Sequence, residues 1–503
     1  MGTAELTNSD ACVPDAPIAP PMSARLDPAP VIAGWLVFAL VLFTPALLND
    51  GDTLWQIRTG EWILDHRAIP TVDPFSFTAG ARRWFPHEWL AEVLLAMAFR
   101  AAGLKGVMVL CAAAAGLTAA VVLRHLRRFL PGVYAVAGLV LVLCNLAPSL
   151  LARPHLLSWP CLALWCGGLV VARANRTPPS FWLLPVMALW VNLHGSFMLG
   201  LLLPGAFMIE AALDSREDRF ATLARWGLFV AAAWAAAALN PAFIDGLLFP
   251  IRMVGMKSLA WIGEWGPTDF SRLQPLEIIL LAALALGFSG KVRLPIIRGA
   301  MFLGLVHGAL AHARDEQLLA IVGAMILAEP LGATLRKGDA PAFGDVWRLA
   351  AAGGAILAAV ALAARLVVPL RPETELAAFS AMLERLAPGL RARPVLNEYG
   401  LGGRLIFNRV APFIDSRADL YGDAFITRYQ AIITPRRVDL ERALSEYGVC
   451  WTLFRSGDPI VAMLDDEPRW TRIVQANGLV IHVWKNCLTS DAGVRPVHAG
   501  VRS

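Results

Sequence analysis

Charge is what this chain has little of. Only 17% of its 503 residues are Asp, Glu, Lys or Arg, and 57% are hydrophobic. A water-soluble chain of this size carries about 25% charged residues. The deficit excludes an ordinary soluble globule for most of the length: apolar runs broken by short polar joints continue to Pro369, and only the remainder reads as a water-soluble domain. Residues 1–30 lack the basic region and apolar core of a secretory leader; rich in Pro, Ala and small polar residues, they read as a disordered tail. There is no Walker A sequence and no GxGxxG loop, so no motif points to a nucleotide. The seven cysteines form no CxxC pair and no zinc-like cluster with histidine. Cys111, Cys144, Cys161 and Cys166 lie in apolar runs as small fillers, whereas Cys450 and Cys487 lie in the tail and can pair if that tail is extracytoplasmic.

What is present is a series of membrane-length apolar stretches. The candidate spans are 31–48, 105–123, 131–151, 155–172, 180–194, 196–213, 226–240, 275–289, 296–311, 316–333 and 347–369, about 11 transmembrane helices. The fold expected is therefore a polytopic α-helical membrane protein with a small α/β extracytoplasmic C-terminal domain. It divides into a cytoplasmic tail (1–30), a multi-pass domain (31–370), the α/β domain (371–487) and a loose tail (488–503). The net charge is +5, and the basic excess stands at membrane boundaries, which argues for topology and against nucleic acid. Arg124, Arg127 and Arg128, Arg173 and Arg176, Arg216, Arg219 and Arg225, Lys291 and Arg293, and Arg336 and Lys337 occupy one set of joints; the alternate set is poorer in Lys and Arg. The positive-inside rule places the richer set, and the N-terminus, in the cytoplasm. The loop after the first helix (49–104) and the C-terminal domain are then outside, in the periplasm of a bacterial inner membrane. Residues 89–104 are apolar but contain Glu92 and Arg100, and read as an interfacial or re-entrant helix.

The remaining unusual polar residues then gather on the outer face. Asp50 and Asp52 follow the first span; His87 and Glu88 precede the interfacial segment. Arg153 and His155, Asn192 and His194, Asn240-Pro241, Glu264-Trp265, and His312, Arg314 and Asp315 stand at outer turns. Singly, each has a structural explanation: Asn49 and Asp50 solvate a helix end, Arg153 snorkels, and Asn240-Pro241 stops a helix. Together they mix carboxylate, imidazole, guanidinium and amide where the inner joints are plain Arg/Lys stops, which points to a polar cavity at the outer leaflet.

Nucleotide sugars are not generally available on that face, so group transfer there needs a substrate activated on a lipid. A polyprenyl-phosphate-linked sugar fits, with its chain in the membrane lipid and its phosphate at the membrane edge. A carboxylate, Asp50 or Asp52, takes the proton of an acceptor hydroxyl as it attacks the anomeric carbon. Arg153, His155, His194 and Arg314 cradle the leaving phosphate, with His87, Glu88 and Asn192 in the same site. An Asp-x-Asp pair can also bind a divalent cation, although it is not a specific metal signature.

A first helix followed by acidic residues in a long outer loop, many further helices and a C-terminal domain resemble the GT-C superfamily of integral-membrane glycosyltransferases. The stretches Asp50-Gly51-Asp52-Thr53-Leu54-Trp55, Asp73-Pro74-Phe75-Ser76-Phe77-Thr78, His87-Glu88-Trp89-Leu90, Arg153-Pro154-His155, Asn192-Leu193-His194-Gly195 and Phe413-Ile414-Asp415-Ser416-Arg417-Ala418-Asp419-Leu420-Tyr421-Gly422 are similar to those of a group of bacterial membrane proteins of this type. The resemblance implies a lipid-phosphate sugar donor, a catalytic Asp in the first outer loop and an acceptor in the envelope: a glycan, lipid or protein.

In the tail, 375–386, 423–433 and 438–447 have helical spacing, and 395–396, 412–415, 450–454 and 480–484 read as strands. Asp415, Arg417, Asp419 and Tyr421 form a dense polar turn: either a salt-bridged surface turn, or a substrate-binding one in which Asp415 and Arg417 act. Two other functions stay open. A lipid or polysaccharide transporter calls for charge at mid-membrane or internal repeats, and a non-catalytic scaffold of an envelope polymer system tolerates loss of both aspartates.

Overall fold

The computed structural model describes residues 27–80, 82–215, 218–261, 263–335, 346–434 and 437–488. All but the inner ends of the two expected tails lie outside these residues, as do Arg216, Arg336 and Lys337. Apolar runs form helices because a backbone without water must satisfy its own polar groups. In order they are α1 (Ala29–Val41), α2 (Asp52–His66), α3 (Trp89–Phe129), α4 (Gly132–Leu146), α5 (Pro154–Ala174), α6 (Leu184–Trp190), α7 (Phe197–Asp214), α8 (Arg219–Ala237), α9 (Ile244–Val254), α10 (Pro275–Phe288) and α11 (Ile296–Ala311). The short α12 (Glu316–Leu318) runs through a π-helical turn into α13 (Ala324–Thr334), and α14 (Val346–Val367) closes the bundle. Among the described residues seven stretches are long and apolar enough to cross a membrane, with four shorter apolar helices beside them, so each expected span has its helix. The chain is a polytopic membrane protein. Trp159, Trp165, Trp190, Phe207 and Phe229 fill the bundle core, while Leu202, Leu213, Leu228, Leu281 and Phe288 point outward from it, as a lipid-facing surface does.

Residues 89–104 are joined to the following span but not continuous with it. α3 breaks at Ala102 and Gly103, whose φ of +60° only glycine adopts without strain. The first half packs along α2, and Arg100 pairs with Asp65.

The C-terminal domain holds α15 (Arg371–Glu384), α16 (Pro388–Arg391), β1 (Val395–Asn397), α17 (Gly402–Phe407), α18 (Ala418–Ile433), α19 (Arg437–Tyr447), β2 (Trp451–Arg455), α20 (Pro459–Asp465), β3 (Trp470–Ala476), β4 (Leu479–Trp484) and α21 (Lys485–Leu488). Its sheet has the order β1-β2-β4-β3, with β1 and β2 parallel and the other pairs antiparallel. Cys450 and Cys487 form a disulfide.

Two sequence expectations need correction. Residues 412–415 are not a strand, because side chains answer their backbone. Asn397 accepts from the Phe413 amide and donates to the Ile414 carbonyl, each at 2.8 Å. Ser76 and Thr78 donate to the Pro412 and Phe413 carbonyls at 3.2 and 2.6 Å. β3 was not foreseen: it is an edge strand with Arg472 and Gln475 in it, which masks any continuous apolar run.

The domain is not a free appendage. Trp55, Ala79 and Trp84 of the first loop and Leu259 share one hydrophobic core with Phe413, Tyr421, Phe425 and Tyr429. Gly51 and Gly403 meet so closely that a Cβ on Gly403 would stand 2.3 Å from the Gly51 carbonyl oxygen. Asp423 caps the amides of Lys257 and Ser258 at 3.1 and 2.8 Å.

Candidate active site

α2 begins at the aspartate pair. Asp50 accepts from the Asp52 amide at 2.8 Å, and both carboxylates sit at the positive end of the α2 dipole. Arg153, the residue before Pro154 at the start of α5, joins the two: its Nε meets Asp50, and its Nη2 lies 2.8 Å from Asp52. Two bonds to the Ala152 backbone hold that geometry: its amide donates to the Leu47 carbonyl at 2.8 Å, and the Thr53 hydroxyl donates to its carbonyl at 2.9 Å. The third arm of Arg153 reaches Glu264 at 2.6 Å. Glu264 in turn lies 3.8 Å from Arg314, whose guanidinium stacks 4.1 Å over Trp265.

The C-terminal domain completes this cluster. Ser416 donates to Asp52 and accepts from Trp55 Nε1 at 3.0 Å, while Tyr399 donates to the Ser416 carbonyl at 3.1 Å. Burial pushes the Asp52 carboxyl up; Arg153 opposes this and Asp50 adds to it, leaving a value of about 6.

A second group surrounds Glu88. His87 and His194 each lie 3.6 Å from its Oε1. Burial works against the Glu88 charge, but His87 above all, with His194 and Arg314, holds its carboxyl down at about 2. Burial lowers His194 to about 3 despite Glu88, so at neutral pH His194 is an uncharged hydrogen-bonding group. His87 stacks 3.8 Å from Phe249 of α9. The His155 ring stands 6.1 Å from that of His194, and its Nε2 meets the Ser149 carbonyl at 2.8 Å. Asn192 is spent on structure: it accepts from Trp89 at 2.7 Å and donates to the carbonyls of Ala188 and Leu239.

Asp415 and Arg417 do not join either group. Arg417 makes a two-pronged pair with Asp415 at 2.8 and 2.7 Å and reaches Asp73 at 2.7 Å, Tyr421 donates to Asp415 at 2.8 Å, and the Arg417 guanidinium lies 4.6 Å from the Trp84 ring. Asp415 is 0% and Arg417 2% exposed. This network clamps the 73–78 stretch of the first loop to the tail and presents no open donor to a substrate.

Sequence reasoning gave no role to Glu264 or Ser416, which only the folded arrangement brings to Arg153 and Asp52. It also missed a buried network at the other end of the bundle. There Arg298, 2% exposed, lies 3.1 Å from Glu210 and 2.7 Å from Glu329, and Arg173 lies 3.0 Å from Glu210 and also pairs with Asp214. Among the described residues no three His, Cys, Asp or Glu side chains gather as metal ligands, and Arg153 fills the space between the two aspartates.

The fold is that of a solved membrane glycosyltransferase. The chain superimposes on the oligosaccharyltransferase AglB from Archaeoglobus fulgidus, in complex with an inhibitory peptide and a dolichol-phosphate, with a TM-score of 0.52 and 12% identity over 85% of this chain and 69% of that one. ArnT from Cupriavidus metallidurans gives a TM-score of 0.48 and 12% identity over 91% and 98%. No protein-family model matches the sequence, and no curated protein matches it.

Proposed function

We propose that this protein is a membrane glycosyltransferase that moves a sugar from a polyprenyl-phosphate donor to an envelope glycan, lipid or protein at the outer face of the bacterial inner membrane. One observation carries the reading: two carboxylates bridged by a single arginine, at the end of a membrane helix and beneath the C-terminal domain. The dolichol-phosphate and peptide held by AglB support a lipid-carried donor and a separate acceptor on this fold. The Cys450–Cys487 disulfide supports an extracytoplasmic tail, because disulfides persist in oxidising compartments.

The acceptor oxygen bonds to the anomeric carbon as the bond from that carbon to the phosphate oxygen breaks. The polyprenyl phosphate leaves with the electron pair, and the acceptor proton passes to the aspartate pair. Asp52, at about 6, is the member suited to exchange a proton near neutral pH. Arg153 is committed to carboxylates, so the positive charge for the leaving phosphate comes from Arg314, with His87, His194 and His155 as hydrogen-bonding neighbours.

The buried Arg298 network is the feature a transporter reading would cite. Its charges are paired with one another and sit near helix ends, so it supports packing. The test is Asp50→Asn and Asp52→Asn, each expressed alone with membrane levels matched. Loss of a surface glycan or glycolipid in either supports transfer; wild-type product in both removes the catalytic assignment.

A further inference from the structure

A cavity of about 560 Å³ is lined by Asp50 but by neither Arg314 nor the histidines. That volume falls in the range of roughly 300–1,000 Å³ usual for small-molecule sites. Its apolar wall is Phe43, Leu48, Leu54, Leu104, Met108 and Leu376. Its charged lining is Arg365, Arg371 and Arg404 with Asp50 and Glu375, the last paired to Arg371. Phe43 lies just beyond α1, Leu104 just after the α3 break, and Arg365 in the last turn of α14. Three membrane helices thus end around it, which places it where hydrocarbon gives way to headgroups.

Packing answers the arginines only in part: the Arg365 guanidinium lies 5.6 Å from the Phe43 ring. Arg365 is 8% exposed and donates from Nη2 to the carbonyls of Val368 and Pro369 at 2.8 and 3.1 Å, yet its buried Nε has no acceptor among the described residues. Arg404 has no carboxylate partner among the described residues; its guanidinium rests 5.8 Å from the Phe379 ring. Arg371 pairs with Glu375 at 2.9 Å. A buried guanidinium with an unanswered donor is costly, and a planar donor fork matches phosphate.

We propose that this cavity binds the acceptor, and that the acceptor is an anionic membrane lipid with a phosphate headgroup carrying a free hydroxyl. The inference rests on the glycosyltransferase reading above. The phosphate lies against Arg365 and Arg404, the acyl chains run along Phe43, Leu104 and Met108, and the headgroup hydroxyl faces Asp50. The hydroxyl oxygen forms the new bond to the anomeric carbon, the sugar–phosphate bond breaks, the polyprenyl phosphate leaves with the electron pair, and the hydroxyl proton goes to the aspartate pair.

The test uses the purified full chain in detergent and phosphatidylglycerol as probe, with phosphatidylcholine and inorganic phosphate as controls. We expect phosphatidylglycerol to bind at least tenfold more tightly than phosphatidylcholine, with inorganic phosphate competing only weakly. Arg404→Gln, on a half-buried side chain, should lower that affinity about tenfold, and Arg365→Lys should keep most of it. Equal binding of the two lipids, or wild-type binding by Arg404→Gln, overturns the site. Full competition by inorganic phosphate assigns the arginines to free phosphate and overturns the lipid. In cells, a lipid one sugar heavier should vanish in both Asp52→Asn and Arg404→Gln. A product lost only in Asp52→Asn leaves glycosyl transfer standing and overturns this acceptor, whereas anionic-lipid binding with no product in the wild type overturns the transferase reading.

Discussion

The hydroxyl of Ser416 donates to the carboxylate of Asp52 across 364 residues of sequence. The C-terminal domain is thereby a wall of the candidate site, and its hydrogen bond lowers the proton affinity of the carboxylate that burial has raised. Ser416→Ala should cut kcat/KM roughly tenfold, near the lower end of a single charge-assisted contact. It should also move the acidic limb of the pH–rate profile upward, because the base then stays protonated to higher pH. A lower rate with an unmoved limb would mean that Ser416 acts on packing alone.

Asp52 and Glu88 have opposite effects on pH dependence. The Asp52 carboxyl is raised from 3.8 to about 6, so the folded state holds its proton more tightly than the unfolded chain, and its contribution to stability falls as pH rises through that interval. Glu88 is lowered from 4.5 to about 2, so its contribution is present above 4.5 and lost as pH falls toward 2. Transfer should decline below about pH 6. Asp52→Asn should leave a Tm at pH 7 no lower than wild type and remove the stability loss between the two Asp52 values. Thermal unfolding in detergent across pH, beside the rate profile, checks both.

Arg417→Met should act on folding. It leaves Asp415 and Asp73 buried without their cation, a loss of about 3–5 kcal/mol by the usual cost of breaking a buried pair. The loop–tail clamp should then open, seen as a lower Tm and as proteolysis between α18 and the bundle. Asp73→Asn should cost less, since Asp415 still holds the arginine.

Glu210→Gln separates the network at the far end of the bundle from the chemistry. Arg298 and Arg173 lose a shared carboxylate but keep Glu329 and Asp214, so the cost should sit near the lower end of about 3–5 kcal/mol. Rate per folded molecule should be unchanged. A stable variant that accumulates a lipid-linked substrate on one side of proteoliposomes would favour transport.

The membrane helices were legible because a span is written locally, as a length of apolar residues, and each expected span has its helix. The α3 break was legible in part, through Glu92 and Arg100 in an apolar stretch. Asp50, Asp52 and Arg153 could be placed on one face from basic-residue bias, but their direct pairing could not, because the turn before α5 is held by hydrogen bonds to Leu47 and Thr53 that no pattern records. Asp415 and Arg417 read as a polar turn, either salt-bridged at the surface or binding substrate. Their burial comes from Asp73, Trp84 and Tyr421, distant residues whose approach depends on the tertiary fold. The expected strand at 412–415 failed for the same reason: Asn397, Ser76 and Thr78 supplied partners from elsewhere in the chain.

The central claim, a sugar transferred from a lipid phosphate by the aspartate pair, is tested most directly by mass analysis of polyprenyl-phosphate-linked sugars in membranes of cells expressing wild-type, Asp50→Asn or Asp52→Asn protein at matched levels. The account predicts that a lipid-linked sugar accumulates in the variants and is consumed by the wild type. Identical pools in all three would contradict it.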